Sequence, residues 1–272
     1  MFAYQQTKLG QQTDYSNQYD PKLLCPLPRL QGRDDLGIGD ILPFDGVDIW
    51  HNYEASWLNA KGKPQVAIVQ LMIPCSSPYL IESKSLKLYF NSLNFMKFDA
   101  QDDYIKLVQQ DLSTAAGAAI KVIVLPVEQS YQSNILFGFC LDEIDIDCQD
   151  YDINPQLLHC ANPPQTVTQS VYSHLLRSNC PVTNQPDWGS VKITYTGAAI
   201  EHESLLRYLI SFRQHNDFHE QCVERIFTDI MRVCRPQKLT VQAFYTRRGG
   251  LDINPYRSNF ESFSVFNRLS RQ

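Results

Sequence analysis

Ile81-Glu82-Ser83-Lys84-Ser85-Leu86-Lys87-Leu88-Tyr89-Phe90-Asn91-Ser92 and Ile200-Glu201-His202-Glu203-Ser204-Leu205-Leu206-Arg207-Tyr208-Leu209-Ile210-Ser211 are the two stretches on which the fold turns. Laid over each other at one fixed offset, they agree at six of twelve positions: Ile81, Glu82, Ser85, Leu86, Tyr89 and Ser92 match Ile200, Glu201, Ser204, Leu205, Tyr208 and Ser211. Each carries apolar residues at i, i+3, i+4 and i+7, which is one helical face: Leu86, Tyr89, Phe90 and Leu93, then Leu205, Tyr208, Leu209 and Phe212. Ser83 stands where an N-cap is expected.

Working outward, each stretch has the same surroundings. Strand-like segments near Trp50–Leu58 and Val66–Ile73 precede the first, and a helix over Asp102–Leu112 follows it. Strands are then expected at Ala119–Val127 and Ile135–Leu141. Around the second, strands at Val167–Leu176 and Ser190–Thr196 come first. A long helix over Phe218–Val233 and a strand at Leu239–Thr246 come after. The repeated order strand, strand, helix, helix, strand reads as a tandem duplication. The expected units are 1–150 and 151–272, divided in the acidic, Pro-bearing segment Asp142–Pro164. The fold class is α+β: an antiparallel sheet with two helices on one face in each unit. Sheet edges left open in such a unit need pairing or cover, so closure of a barrel by association of subunits is expected.

Composition bounds the rest. The chain has 272 residues, 43% hydrophobic and 19% charged, with a formal net charge of −5. That is enough apolar side chain for a large core and excludes disorder throughout. The acidic balance argues against a general nucleic-acid binder. No apolar run reaches membrane-spanning length, since Ala115–Val127 is broken by Lys121 and Pro126. The first twenty residues lack the apolar centre of a signal peptide, and the expected compartment is the cytoplasm. Eight cysteines without a Cys-x-x-Cys pair read as mostly buried, reduced side chains and not as a disulfide framework or a zinc knuckle. Neither a Gly-x-Gly-x-x-Gly nor a phosphate-binding P-loop string occurs, and no metal site is expected.

Four constellations could carry chemistry. Cys180 lies in the polar loop Ser178–Gly189, where a cysteine can be partly exposed and ionised for nucleophilic attack, and Asp187 stands nearby as an acid or base. The competing reading is an ordinary loop with an incidental cysteine. Asn216-Asp217-Phe218-His219-Glu220 reads equally as a ligand site at a helix start or as a capping box made by Asp217 and Glu220. Glu82-Ser83-Lys84-Ser85 offers free N–H groups, hydroxyls and a cation to an anion, although Ser and Lys are routine there. Arg247-Arg248-Gly249-Gly250 pairs guanidinium groups with backbone that can approach a phosphate closely, although most such strings are solvated turns.

Taken together, the Glu82–Tyr89 stretch, Asn179-Cys180 with Gln185-Pro186-Asp187-Trp188, Ser211-Phe212-Arg213 with Phe218-His219-Glu220, and the Arg247–Pro255 segment closely resemble one family. It is the NADPH-dependent 7-cyano-7-deazaguanine reductases of queuosine biosynthesis, in their long, two-module form. The resemblance implies the tunnelling fold shared with GTP cyclohydrolase I. It also implies reduction of a nitrile to a primary amine with NADPH. Carried over by position, Cys180 would form a covalent thioimide and Asp187 would relay protons. Ile81, Glu82, Ser83, His219 and Glu220 would contact the substrate. Ser83, Lys84, Arg248 and Gly249 would contact NADPH. One duplicated copy would then keep one part of the site and the other copy the rest. The resemblance implies a small-molecule substrate, while the open sheet edges point to a homodimer and the charge and hydropathy to no direct nucleic-acid partner and no membrane. The rival readings are a GTP cyclohydrolase-like hydrolase and a non-catalytic purine- or pterin-binding module.

Overall fold

The computed structural model describes residues 15–128, 134–264 and 268–272. Most of the first twenty residues therefore lie outside the described residues. The chain forms two compact units. One gathers the described residues of Met1–Asp35, Asp48–Tyr131 and Arg247–Asp252. The other gathers those of Leu36–Val47, Gln132–Thr246 and Ile253–Gln272. Each thus takes in a short segment from a remote part of the chain. Among the described residues no helix is long and apolar enough to cross a membrane.

In chain order the first half contains β1 (Pro26–Pro28), α1 (Arg29–Asp34), β2 (Asp45–Asn59), β3 (Pro64–Pro74), β4 (Tyr79–Ile81), α2 (Ser83–Ser92), β5 (Lys97–Phe98), α3 (Gln101–Ala116) and β6 (Lys121–Leu125). The strands lie in the order β6-β3-β2, with β3 antiparallel to β6 and Gln70 opposite Ile123. β1 and β4 form a small antiparallel pair of their own. The core of this unit includes an aromatic cluster: Trp57 stacks on Tyr104 at 4.3 Å, and Phe98 meets Tyr104 edge-on.

The second half contains β7 (Phe139–Cys140), β8 (Thr166–Ser173), β9 (Arg177–Asn179), β10 (Pro186–Ala198), α4 (His202–Ile210), α5 (His219–Val233), β11 (Lys238–Tyr245) and β12 (Leu251–Ser258). Here the order is β12-β11-β10-β8-β7, antiparallel apart from the two-residue β7. From Val191 onward β10 shows period-2 burial, with Val191, Ile193 and Tyr195 inward. α5 presents Val223, Ile226, Phe227 and Ile230 as a buried face. The architecture is α+β with mainly antiparallel pairing.

The identities between the two opening stretches have a physical cause. Ser85 Oγ donates to Glu82 O and accepts the Cys25 N–H, while Ser204 Oγ donates to Glu201 O and accepts the His159 N–H. Ser92 Oγ donates to Tyr89 O and accepts from Asp20 N, and Ser211 Oγ does the same with Tyr208 O and Asn154 N. Tyr89 and Tyr208 each donate at 2.7 Å to an aspartate on the following helix, Asp111 and Asp229. The shared serines and tyrosines are buried and repeat their bonds from one helix to the other.

Several sequence expectations need correction. Glu82, not Ser83, is the N-cap of α2: its carboxylate accepts the Lys84 and Ser85 N–H groups, both at 2.8 Å. The α5 capping pair is not Asp217 and Glu220. Phe218 is the N-cap, and its N–H goes to Asp217 Oδ1 at 3.0 Å and Gln221 Oε1 at 3.3 Å. The strand expected over Ile135–Leu141 shrinks to Phe139–Cys140, where β7 pairs with β8; Ile135 and Phe137 lie outside it, both exposed. β12 was not anticipated at all. Of the eight cysteines, all free, four are buried and four half-buried.

Candidate active site

The second unit holds a hairpin built for one cysteine. β9 pairs with the start of β10, placing Ser178 opposite Asp187 and Asn179 opposite Pro186. Between them the chain makes a tight turn. Cys180 N–H donates to Gln185 O at 2.9 Å and Asn184 N–H returns to Cys180 O at 3.0 Å. Asn184 adopts φ +56°, a left-handed conformation that asparagine tolerates. From outside the turn, Asn216 Nδ2 donates to Asn184 Oδ1 at 2.9 Å and to Cys180 O at 3.3 Å. These closures bury Cys180 to 3% exposure, against the expectation of a partly exposed thiol. The turn is a preformed socket and not a loose loop.

Asp187 is 7% exposed at the mouth of β10. His219, the first residue of α5, brings Nε2 to 3.3 Å from Asp187 Oδ2. Glu220 follows it at 3% exposure, a position the apolar face of α5 would not predict for a carboxylate. The His219 ring stacks flat on Tyr245, centroids 3.8 Å apart and planes 13° apart. Beneath lies Cys222, fully buried beside Tyr245 and Ser178; burial pushes its thiol well above the ordinary range, so it stays protonated. The hairpin and the start of α5 therefore assemble Cys180, Asp187, His219 and Glu220 within one unit, and can pair a nucleophile with a carboxylate–imidazole couple.

The other expected residues lie in the first unit. Ile81, buried at the end of β4, leads into Glu82, Ser83 and Lys84 at the start of α2. Arg248 and Gly249 form the turn from β11 to β12. Gly249 has φ +55°, and a Cβ there would lie 2.6 Å from Lys87 Nζ. Bare backbone thus faces an ammonium group. Arg247 lies over Tyr53, its Cζ 3.6 Å from the ring centroid. Tyr53 donates to Asp252 Oδ2 at 2.5 Å, and Asp252 Oδ1 is 2.7 Å from His51 Nδ1. Tyr53 N–H also binds Gly250 O at 2.9 Å. Lys84, Lys87, Arg247 and Arg248 with an uncovered glycine backbone suit a phosphate-bearing group. The sequence gives no signal for Tyr53 and His51, and no role of their own to Lys87 and Asp252, which lie in the stretches that carry the resemblance, or to Tyr245, which ends the strand before Arg247. Among the described residues no three His, Cys, Asp or Glu side chains gather as metal ligands.

Comparison with known proteins bears on these two residue groups. Residues 15–124 match the family described as "Nitrile reductase, 7-cyano-7-deazaguanine-reductase N-term", and residues 186–262 match the one described as "QueF-like protein". A NADPH-dependent 7-cyano-7-deazaguanine reductase of Hydrogenovibrio crunogenus is 55% identical over 267 residues, covering 97% of this chain and 96% of its own. A protein of the same name from Ralstonia nicotianae is 53% identical over 258 residues, covering 93% of each. Among solved structures, archaeosine synthase QueF-Like in the apo form matches 38% of this chain and 98% of its own, with 18% identity and a TM-score of 0.31. With near full-length relatives at this identity, the chain belongs to the family of NADPH-dependent 7-cyano-7-deazaguanine reductases.

Proposed function

We propose that the protein reduces the nitrile of 7-cyano-7-deazaguanine to the primary amine, serving queuosine biosynthesis, with Cys180 as nucleophile. The observation that carries this reading is the buried hairpin that presents Cys180 and Asp187 together with His219 Nε2, 3.3 Å from Asp187 Oδ2. A nitrile carbon accepts hydride poorly. Addition of the Cys180 sulfur gives a thioimide, in which the new C=N bond is more readily reduced. The thiol proton moves to the substrate nitrogen, with Asp187 holding it on the way and His219 orienting that carboxyl. Burial keeps water from hydrolysing the adduct. Glu220, beside His219, accepts hydrogen bonds from the N–H edge of the deazaguanine ring, as a carboxylate does from an amidine-like pair. Ile81, Glu82 and Ser83 complete the substrate contacts.

NADPH supplies hydride when bound. Ser83, Lys84, Arg248 and Gly249 would hold it, Lys84 and the arginines through its phosphates. The repeated serine and tyrosine bonds support two tandem tunnelling-fold units derived from one ancestor, 1–150 and 151–272 in the chain, and open sheet edges support a homodimer. Eight free cysteines suit a reducing cytoplasm.

NADPH oxidation followed at 340 nm on the wild type and Cys180→Ala tests the activity, which the alanine variant should lose. Intact mass after incubation with the nitrile alone should show a covalent adduct on the wild type only. Turnover by Cys180→Ala at the wild-type rate would rule out the thioimide route.

A further inference from the structure

We propose that Tyr245 is a positioning residue, whose ring fixes the plane of the His219 imidazole against Asp187. This rests on the reading of His219 and Asp187 given above. Three independent observations converge on it. The first is the stack itself, 3.8 Å between centroids at 13° between planes. The second is the way both backbone groups of Tyr245 are pinned: N–H to Asn254 Oδ1 and O to Gln272 Nε2, each at 3.2 Å. The third is Gly189, which faces Tyr245 across β10 and β11. A Cβ at Gly189 would stand 3.1 Å from Tyr245 Cδ1 and 3.3 Å from Cε1. The strand that carries Asp187 thus omits a side chain two residues later, where the ring under His219 needs room.

His219 requires such support. It is the first residue of α5, and its Nδ1 is buried without a hydrogen-bond partner. No polar group therefore fixes that edge of the ring. The geometry leaves the Asp187 contact at Nε2 and the tyrosine face to define the ring's orientation. The ring, and not the phenol hydroxyl, does this work. The hydroxyl is buried beside Cys222 and Ser178, and burial holds its pKa far above the ordinary range, so it does not ionise near neutrality.

The test compares Tyr245→Leu, Tyr245→Phe and Gly189→Ala with the wild type. Tyr245→Leu is expected to lower kcat roughly 10- to 100-fold, the order of loss that follows a misplacement of about 1 Å. Tyr245→Phe, which keeps the ring, should rescue most of that loss. In a His219→Ala background, Tyr245→Leu should add little further, because the residue it positions is gone. Equal losses in both backgrounds, or full activity of Tyr245→Leu, would overturn the proposal. If Tyr245→Leu does not fold, Gly189→Ala answers the same question with the tyrosine still present. A rate unaffected by the added methyl group would then count against the role. A readout independent of turnover is the His219 ring proton resonance. The Tyr245 face should shift it upfield in the wild type and Tyr245→Phe but not in Tyr245→Leu. Were the wild type to show this shift yet neither adduct nor turnover, the positioning would stand and the catalytic reading would fail.

Discussion

Cys180 and Cys222 differ at the level of single residues, although both are buried free thiols. Cys180 sits in a polar turn whose backbone bonds hold its main chain at the end of the hairpin that bears Asp187. Cys222 is enclosed by α5, Ser178 and Tyr245, and desolvation above all, then the nearby Asp217 charge, pushes its thiol up. Thiolate is the reactive form. Alkylation of the native protein at pH 8 should therefore modify the half-buried Cys25, Cys140, Cys148 and Cys160 and spare Cys222, as read by peptide mass after quenching. Labelling of Cys222 as fast as Cys148 would show that its enclosure opens. The sequence made Cys180 legible through its polar neighbours. The burial of Cys180 was not legible, because Asn216 closes the turn from another segment.

At the scale of elements, the duplicated helices show how alike residues diverge in use. Glu82 and Glu201 occupy the same N-cap position of α2 and α4. Glu82 accepts two helix N–H groups, whereas Glu201 makes no side-chain cap bond and reaches His159 Nε2 at 2.9 Å on the surface. Loss of an N-cap acceptor costs about 1 kcal/mol, and an exposed ion pair typically contributes less. Glu82→Ala should therefore destabilise the fold by roughly 1–2 kcal/mol and Glu201→Ala by about 0.5 kcal/mol or less, compared by urea unfolding. Equal losses would mean that the Glu82 bonds do not hold the helix start. β12 was illegible for a related reason. Its polar residues are all buried against specific partners: Asp252 with His51 and Tyr53, Asn254 with Tyr245 and Gln272, Arg257 with Glu224. Those satisfied partners let the strand be buried on both faces, its polar positions included.

For the molecule as a whole, the strand and helix order of each unit was readable because its amphipathic periods are strong, while the segments each unit takes from a remote part of the chain carry no local signal. The repeated tyrosine–aspartate bond sets a global property as well. Asp229 is buried against Tyr208, and desolvation raises its carboxyl pKa despite the Tyr208 bond and the charges of Arg225, Arg232 and His215. A carboxyl whose folded pKa exceeds its unfolded value near 3.9 binds its proton more tightly in the native state. Its contribution to stability is therefore fully present below the unfolded pKa and declines as pH rises through the folded pKa. Above that window the protein holds a buried charge at a cost. Asp229→Asn removes the titration and keeps an oxygen that can accept from the Tyr208 hydroxyl. The variant should thus gain stability relative to the wild type as pH rises above the unfolded value near 3.9, as measured by urea midpoints at each pH. If Asp229→Asn instead loses ground as pH rises, the arginine charges outweigh desolvation and the carboxylate is the stabilised form.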